Sequence, residues 1–234
     1  MSEIALLDVA DRRIAFRLRA GSAPTLFFLP GYASDMEGAK ATALDAFAEE
    51  RGIGMLRLDY SGTGSSEGRF EDGTLALWLE EALAALDELT TGPLILIGSS
   101  MGCWIALHLA QLRATRVQAL VGIAGAPDFT AWGFTPEQAA QLGDEGRFTR
   151  RFWESGQRLL LFDQPDIAVT CPVRLIHGEK DEDVPVEIAF RTMRALRSSD
   201  VQVKVIKDGG HRLSEPHEIQ SILETVANLL EPRV

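Results

Sequence analysis

Gly98-Ser99-Ser100-Met101-Gly102 stands directly behind the apolar run Leu94-Ile95-Leu96-Ile97 and directly ahead of a helical stretch from Cys103 to Leu112. A G-x-S-x-G pattern at such a junction puts a serine on a sharp strand-to-helix turn, with its hydroxyl lifted clear of the sheet and two glycines letting neighbouring backbone pass close by. The helix that follows points its first N–H groups toward negative charge developing beside Ser100. The five residues alone also fit an ordinary βα turn; the strand before them and the helix after them favour the nucleophilic reading.

Working outward, short aliphatic or β-branched runs alternate with helical patterns. Strands are read at Arg13 to Arg19, Thr25 to Leu29, Gly54 to Asp59, Pro93 to Ile97, Ala119 to Ala124, Val173 to His177 and Val201 to Ile206. Helices are read at Ala39 to Arg51, Leu75 to Leu89, Met101 to Leu112, Val186 to Leu196 and Ile219 to Leu230. Strands that are apolar throughout are buried on both faces, which points to an α/β fold with a mainly parallel sheet flanked by helices. Glu3 to Arg19, with Asp11 at its centre, reads as an antiparallel hairpin at the edge.

The alternation breaks between Thr130 and Thr170, a stretch rich in aromatics and charge that includes Trp132, Phe134, Phe148, Phe152, Trp153 and Phe162. Too short for a separate domain, it is expected to form a lid of two or three short helices over the C-terminal edge of the sheet, where open α/β sheets bind ligands. Its aromatics fit either the core of those helices or the wall of a pocket.

The chain has 234 residues, 46% of them apolar, enough to bury one sizeable core in a single domain. A formal charge of −11 repels phosphate backbones and anionic membrane surfaces, so nucleic acid is not an expected partner. No apolar run approaches membrane-spanning length. Met1-Ser2-Glu3-Ile4 opens without a basic region and long apolar segment. Cys103 and Cys171 follow no metal-ligand spacing, and a reduced, cytoplasmic setting is the expectation.

An activated serine needs a base and a carboxylate that orients the base. Of four histidines, His108 lies on the helix behind the turn, His177 ends a strand before Gly178, and His217 opens the last helix beside Pro216. His211, in the glycine-rich loop Asp208-Gly209-Gly210-His211, is the one placed to reach across the sheet edge. The carboxylate is expected in Gly178-Glu179-Lys180-Asp181-Glu182-Asp183-Val184-Pro185, where spacing alone leaves Glu179, Asp181, Glu182 and Asp183 open. Gly62-Thr63-Gly64-Ser65-Ser66 resembles a phosphate cradle, but no Lys-Ser or Lys-Thr pair follows it; its glycines are read as allowing tight passage near the site.

These features together resemble the α/β-hydrolase family, whose triad runs in the chain order nucleophile, acid, histidine. Within that resemblance His177-Gly178-Glu179-Lys180-Asp181-Glu182-Asp183-Val184-Pro185 matches a His-Gly-x-x-Asp-x-x-Val-Pro pattern, implying Asp181 as the acid with Asp183 as the fallback. More narrowly, Leu29-Pro30-Gly31-Tyr32-Ala33-Ser34-Asp35-Met36-Glu37-Gly38, Asp59-Tyr60-Ser61-Gly62-Thr63-Gly64-Ser65-Ser66 and His211-Arg212-Leu213 are similar to a subgroup of serine esterases and thioesterases. Mitochondrial animal members of that subgroup are described as acyl-glucuronide esterases and protein depalmitoylases. Cys103 departs from the glycine frequent at its position, and the mitochondrial address does not carry over.

The resemblance implies a cofactor-free, metal-free hydrolase in which His211 takes the Ser100 proton, Asp181 holds the imidazole, and backbone N–H groups of Tyr32 and Met101 receive the oxyanion. Its substrate would be a small-molecule acyl ester or thioester or an S-acylated protein. The same triad also serves perhydrolysis or carbon–carbon cleavage. A non-enzymatic binding module on this scaffold would be expected to have lost a triad member. Ser100 argues against dehalogenases and epoxide hydrolases, which need a carboxylate at the turn.

Overall fold

The computed structural model describes residues 3–231; Met1 and Ser2, on which part of the N-terminal reading rests, lie outside the described residues. One sheet of eight strands organises the chain in the order β1-β2-β4-β3-β5-β6-β7-β8. The strands are β1 (Ala5–Val9), β2 (Arg12–Arg19), β3 (Ser22–Leu29), β4 (Ile53–Leu58), β5 (Leu94–Ser99), β6 (Val117–Ile123), β7 (Val173–Gly178) and β8 (Val201–Ile206). β1 and β2 form the expected antiparallel hairpin, β2 runs antiparallel to β4, and every other pairing is parallel.

Helices α1 (Ala39–Arg51) and α8 (Pro216–Leu230) cover one face, and α2 (Leu75–Leu89) and α3 (Met101–Leu112) the other. Alternation within a continuously apolar strand serves both layers. Phe27 and Leu29 of β3, and Leu94 and Leu96 of β5, pack with Trp78 and Trp104; Leu26, Phe28, Ile95 and Ile97 pack with Leu44, Phe47 and Val226. The edge strand β8 departs from the all-apolar expectation, with Gln202, Lys204 and Val205 exposed, because only one neighbour strand covers it. α8 begins at Pro216, before the apolar periodicity starts, since Glu215 and Glu218 form a reciprocal capping box with proline at the first turn.

The break in alternation holds three short helices, α4 (Phe129–Trp132), α5 (Pro136–Gln141) and α6 (Arg150–Gln157). They are tied to the body at both ends. Buried Asp128 accepts the N–H groups of Leu161 at 2.9 Å and Phe162 at 2.7 Å. Ser155 Oγ accepts the Ala76 N–H at 3.0 Å, serving an orphan donor at the start of α2. α7 (Glu187–Ala195) packs beside β7 and β8. No helix among the described residues is long and apolar enough to cross a membrane.

A buried carboxylate fastens the hairpin to α2. Glu81 is fully buried and accepts Arg12 Nε at 2.8 Å and the Ser61 N–H at 2.9 Å, while Glu80 on the same helix pairs with Arg12 at its exposed side. Removing Glu81 takes the buried partner from Arg12 and leaves the buried Ser61 N–H without an acceptor, whereas the outer pair is screened by water. Glu81→Ala is expected to destabilise the fold by about 3 kcal/mol in urea unfolding, and Glu80→Ala by less than about 1 kcal/mol; equal effects would show that the inner pair carries no special weight.

Candidate active site

Ser100 joins β5 to α3 at φ 53° and ψ −119°, a left-handed conformation that costs a non-glycine residue about 1–3 kcal/mol. Its surroundings leave it little alternative. The Ser100 N–H donates to the Ile123 carbonyl at 2.9 Å, and its carbonyl accepts from the N–H groups of Cys103 at 3.0 Å and Ala126 at 3.1 Å. A Cβ at Gly98 would lie 2.5 Å from Cys103 Cα, and one at Gly102 would lie 2.6 Å from the Pro30 carbonyl oxygen, so both glycines of the motif are required by close approach.

The loop after β8 carries His211 to this serine. His211 Nε2 lies 3.1 Å from Ser100 Oγ, and Nδ1 lies 2.8 Å from Asp181 Oδ2. An ionised carboxylate only accepts, so the proton sits on Nδ1 and Nε2 is free to accept the Ser100 O–H. Two further bonds hold the acid and histidine loops together: Glu179 N–H donates to the Ile206 carbonyl at 2.9 Å and Lys180 N–H to the Gly209 carbonyl at 2.8 Å. On the far side, Lys40 Nζ donates to the Arg212 carbonyl and tethers the histidine loop to α1.

Of the four acids left open by spacing, Asp181 alone reaches His211. Its carboxylate is fully buried, and Oδ1 accepts the N–H groups of Asp183 at 3.0 Å and Val184 at 2.8 Å. Burial opposes ionisation, but the nearby N–H groups of His177, His211 and Val184 outweigh it and hold the carboxyl well below the usual range. Glu182 and Asp183 are exposed, and Glu179 instead accepts the Asp208 N–H at 3.1 Å. The donor atoms of Asp181, Asp183 and His211 fall within 4.8 Å of one another, but the first and last of these are already committed to each other.

The segment after β3 lies against the serine, since a Cβ at Gly31 would sit 3.2 Å from Ser100 Cβ. Among the described residues, nothing accepts the backbone N–H groups of Tyr32 and Met101. Two buried side chains hold this segment at Met36: Asp59 Oδ1 accepts its N–H at 2.7 Å and Arg57 Nη1 donates to its carbonyl at 2.7 Å. Asp59 also accepts the Ser65 N–H at 2.8 Å, so the glycine-rich loop wraps a carboxylate rather than a phosphate. The Tyr32 ring is stacked on Phe148 at 4.7 Å and meets Phe152 edge-on at 4.7 Å, and its hydroxyl donates to the Arg147 carbonyl at 2.5 Å.

The aromatics of the helical segment divide between both expected roles. Phe152 is buried core, whereas Phe134 and Trp153 line an apolar groove of about 510 Å³ between α4, α5 and α6. A polar cavity of about 430 Å³ opens beside His211. His108 Nε2 meets the Leu159 carbonyl at 3.0 Å, away from the serine, and His217 is exposed at the start of α8. Cys103 fills the space beside Gly122 and Gly125, and burial pushes its thiol up to about 12, which leaves it inert at neutral pH. His177, which the sequence places as a strand-end residue, faces the acid, and Asp59 and Arg57, to which the sequence assigns no role, hold the segment after β3. His177 had a signal in the matched His-Gly-x-x-Asp spacing, and Asp59 had one in its place at the end of β4, ahead of the glycine loop.

Residues 24–150 match the family model for the alpha/beta hydrolase fold. The chain is 34% identical to the mitochondrial palmitoyl-protein thioesterase ABHD10 of Homo sapiens, over 93% of this chain and 76% of that protein. The structure of alpha/beta hydrolase domain-containing protein 10 from mouse superposes with a TM-score of 0.92 at 34% identity, covering 98% of both chains. A putative hydrolase from Agrobacterium vitis superposes with a TM-score of 0.89 at 36% identity, covering 98% of this chain and 99% of the other. With its mostly parallel sheet, its serine turn and these relatives, the chain belongs to the α/β-hydrolase fold family.

Proposed function

We propose that this chain is a serine hydrolase that cleaves acyl thioesters and carboxylic esters through an acyl-enzyme on Ser100. The observation that carries this is the continuous chain of contacts from Ser100 Oγ through His211 to Asp181, at 3.1 Å and 2.8 Å. His211 Nε2 accepts the Ser100 proton as Oγ attacks the acyl carbon, and Asp181 stabilises the resulting imidazolium. The same Nε2–H then protonates the departing thiolate or alkoxide, and water repeats the cycle to release the acid. The N–H groups of Tyr32 and Met101 receive the oxyanion, a contribution of about 3 kcal/mol per donor in comparable sites.

Thioesters are placed first because the curated relatives bear the name palmitoyl-protein thioesterase. An S-acylated protein or a small acyl thioester would both present the required carbonyl. The segment from about 130 to 170 serves as the lid of a single hydrolase unit, clamped through the Tyr32 contacts with Arg147 and Phe148. Two unbonded cysteines are consistent with a reducing compartment, read here as the cytoplasm.

The full chain, assayed with acyl thioesters and p-nitrophenyl esters of increasing chain length, is expected to turn over both classes; a folded chain with no turnover of either would refute the proposal. Ser100→Ala and His211→Ala should each lower kcat by about 10⁴-fold or more without loss of fold. Asp181→Asn should lose on the order of 10⁴-fold through the wrong imidazole tautomer, whereas Asp183→Asn keeps the N–H that Asp181 uses and should stay within a few-fold. Because Asp181 is held ionised far below the usual carboxylate range, acidification should abolish activity through one protonation, that of His211. Full rate at about pH 4, where free carboxylic acids protonate, would contradict the relay.

A further inference from the structure

His177 is a buried histidine that the relay described above does not use. It is the penultimate residue of β7, four residues ahead of Asp181, with its side chain 1% exposed. Its Nε2 lies 2.9 Å from the Val184 carbonyl oxygen and 3.2 Å from Asp181 Oδ2. Both neighbours are acceptors, so the ring proton is on Nε2, which is hydrogen-bonded to the Val184 carbonyl and faces Asp181 Oδ2 from the side. Asp181 Oδ2 is therefore approached by two imidazole N–H groups, from His177 at 3.2 Å and from His211 at 2.8 Å, while Oδ1 is occupied by two backbone donors.

We infer that His177 is a positioning residue for the hydrolytic relay, acting through Asp181 to limit how strongly that carboxylate holds the protonated form of His211. The inference rests on the hydrolase reading of Ser100, Asp181 and His211. The positive end of the His177 N–H dipole, held 3.2 Å from Oδ2, offsets negative charge that would otherwise be presented to the imidazolium. With that donor gone, Asp181 stays in place on the N–H groups of Asp183 and Val184 and binds protonated His211 more tightly. His211 would then lose its capacity as a base at a higher pH. His177 thus extends the working range of the base toward acid.

The test uses the full chain with His177→Gln, whose amide N–H can stand near the place of Nε2, and His177→Asn, whose side chain is too short to reach Oδ2. The charged groups around His211, which are Asp181, Lys180, Glu182, Asp183, Asp208, Arg212, Glu215 and Glu218, are the same in all three proteins. In His177→Asn the acidic limb of kcat/KM should move to higher pH by about half a unit with KM unchanged, and His177→Gln should restore it. The Nδ1 proton of His211, followed by NMR, should move downfield in the Asn variant as its bond to Asp181 strengthens, and return in the Gln variant. A folded His177→Asn protein with limb and proton resonance both unmoved overturns the inference. Should His177→Asn fail to fold, His177→Leu, which keeps side-chain bulk without a donor, takes its place: displacement of limb and resonance in the directions given supports the role, and a folded Leu variant with both unmoved overturns it. The NMR readout needs no substrate, so a wild-type chain without turnover would refute the hydrolase reading while His177 is still judged by the resonance.

Discussion

A serine held at φ 53° is the constraint on which the site depends. The strain has to be sustained by everything touching that residue, and three elements supply the support: the neighbouring strand β6 takes the Ser100 N–H, the start of α3 and the loop after β6 share its carbonyl, and glycines 98 and 102 allow the backbones to close in. Helix α3 behind it is buried along nearly its whole length, from Met101 to Ala110. A buried helix cannot slide to relieve the turn without breaking the packing of Trp104, Ile105 and Leu109 against the sheet. The core therefore stabilises the fold and, by the same contacts, keeps Ser100 aimed at His211.

The second requirement is a charge at the right place in a dry site. Asp181 is taken fully out of water, which by itself would favour the neutral acid, and its four nearby donors reverse that preference. Those donors come from its own loop, from the end of strand β7 and from the histidine loop, so the carboxylate is also the point at which these segments meet. The segment after β3 is built on the same plan. Arg57 and Asp59, two residues apart at the end of β4 and both buried, grip opposite sides of Met36 and set the course of the segment that carries Tyr32. Tyr32 then passes a link outward to the helical segment through Phe148 and the Arg147 carbonyl.

Much of this was legible from residues alone. Apolar runs such as Leu94 to Ile97 announce strands buried on both faces, and the glycines around Ser100 announce a turn with no room for side chains. His211 stood out because a loop after the last strand can reach the serine whereas His108, on the helix behind it, cannot. The choice of Asp181 over its acidic neighbours was not available from spacing, because four carboxylates within five residues differ only in which one turns inward. That depends on the N–H groups of Asp183 and Val184 closing around Oδ1, a three-dimensional fact. The same holds for His177, which looks like a strand-end residue until its ring is seen against the acid, and for Arg57, which interrupts an apolar strand yet is 1% exposed. The early start of α8 is of another kind, since its cap lies before the periodic pattern on which sequence reading relies.

Chemical trapping tests the nucleophile directly. The intact chain would be treated with a fluorophosphonate, digested and mapped by mass spectrometry. A single adduct on Ser100, absent when the protein is first unfolded, is the expected result, because only the folded turn brings His211 Nε2 to the hydroxyl. An unmodified Ser100 in folded protein, or an adduct carried by another residue, would contradict the assignment of the site.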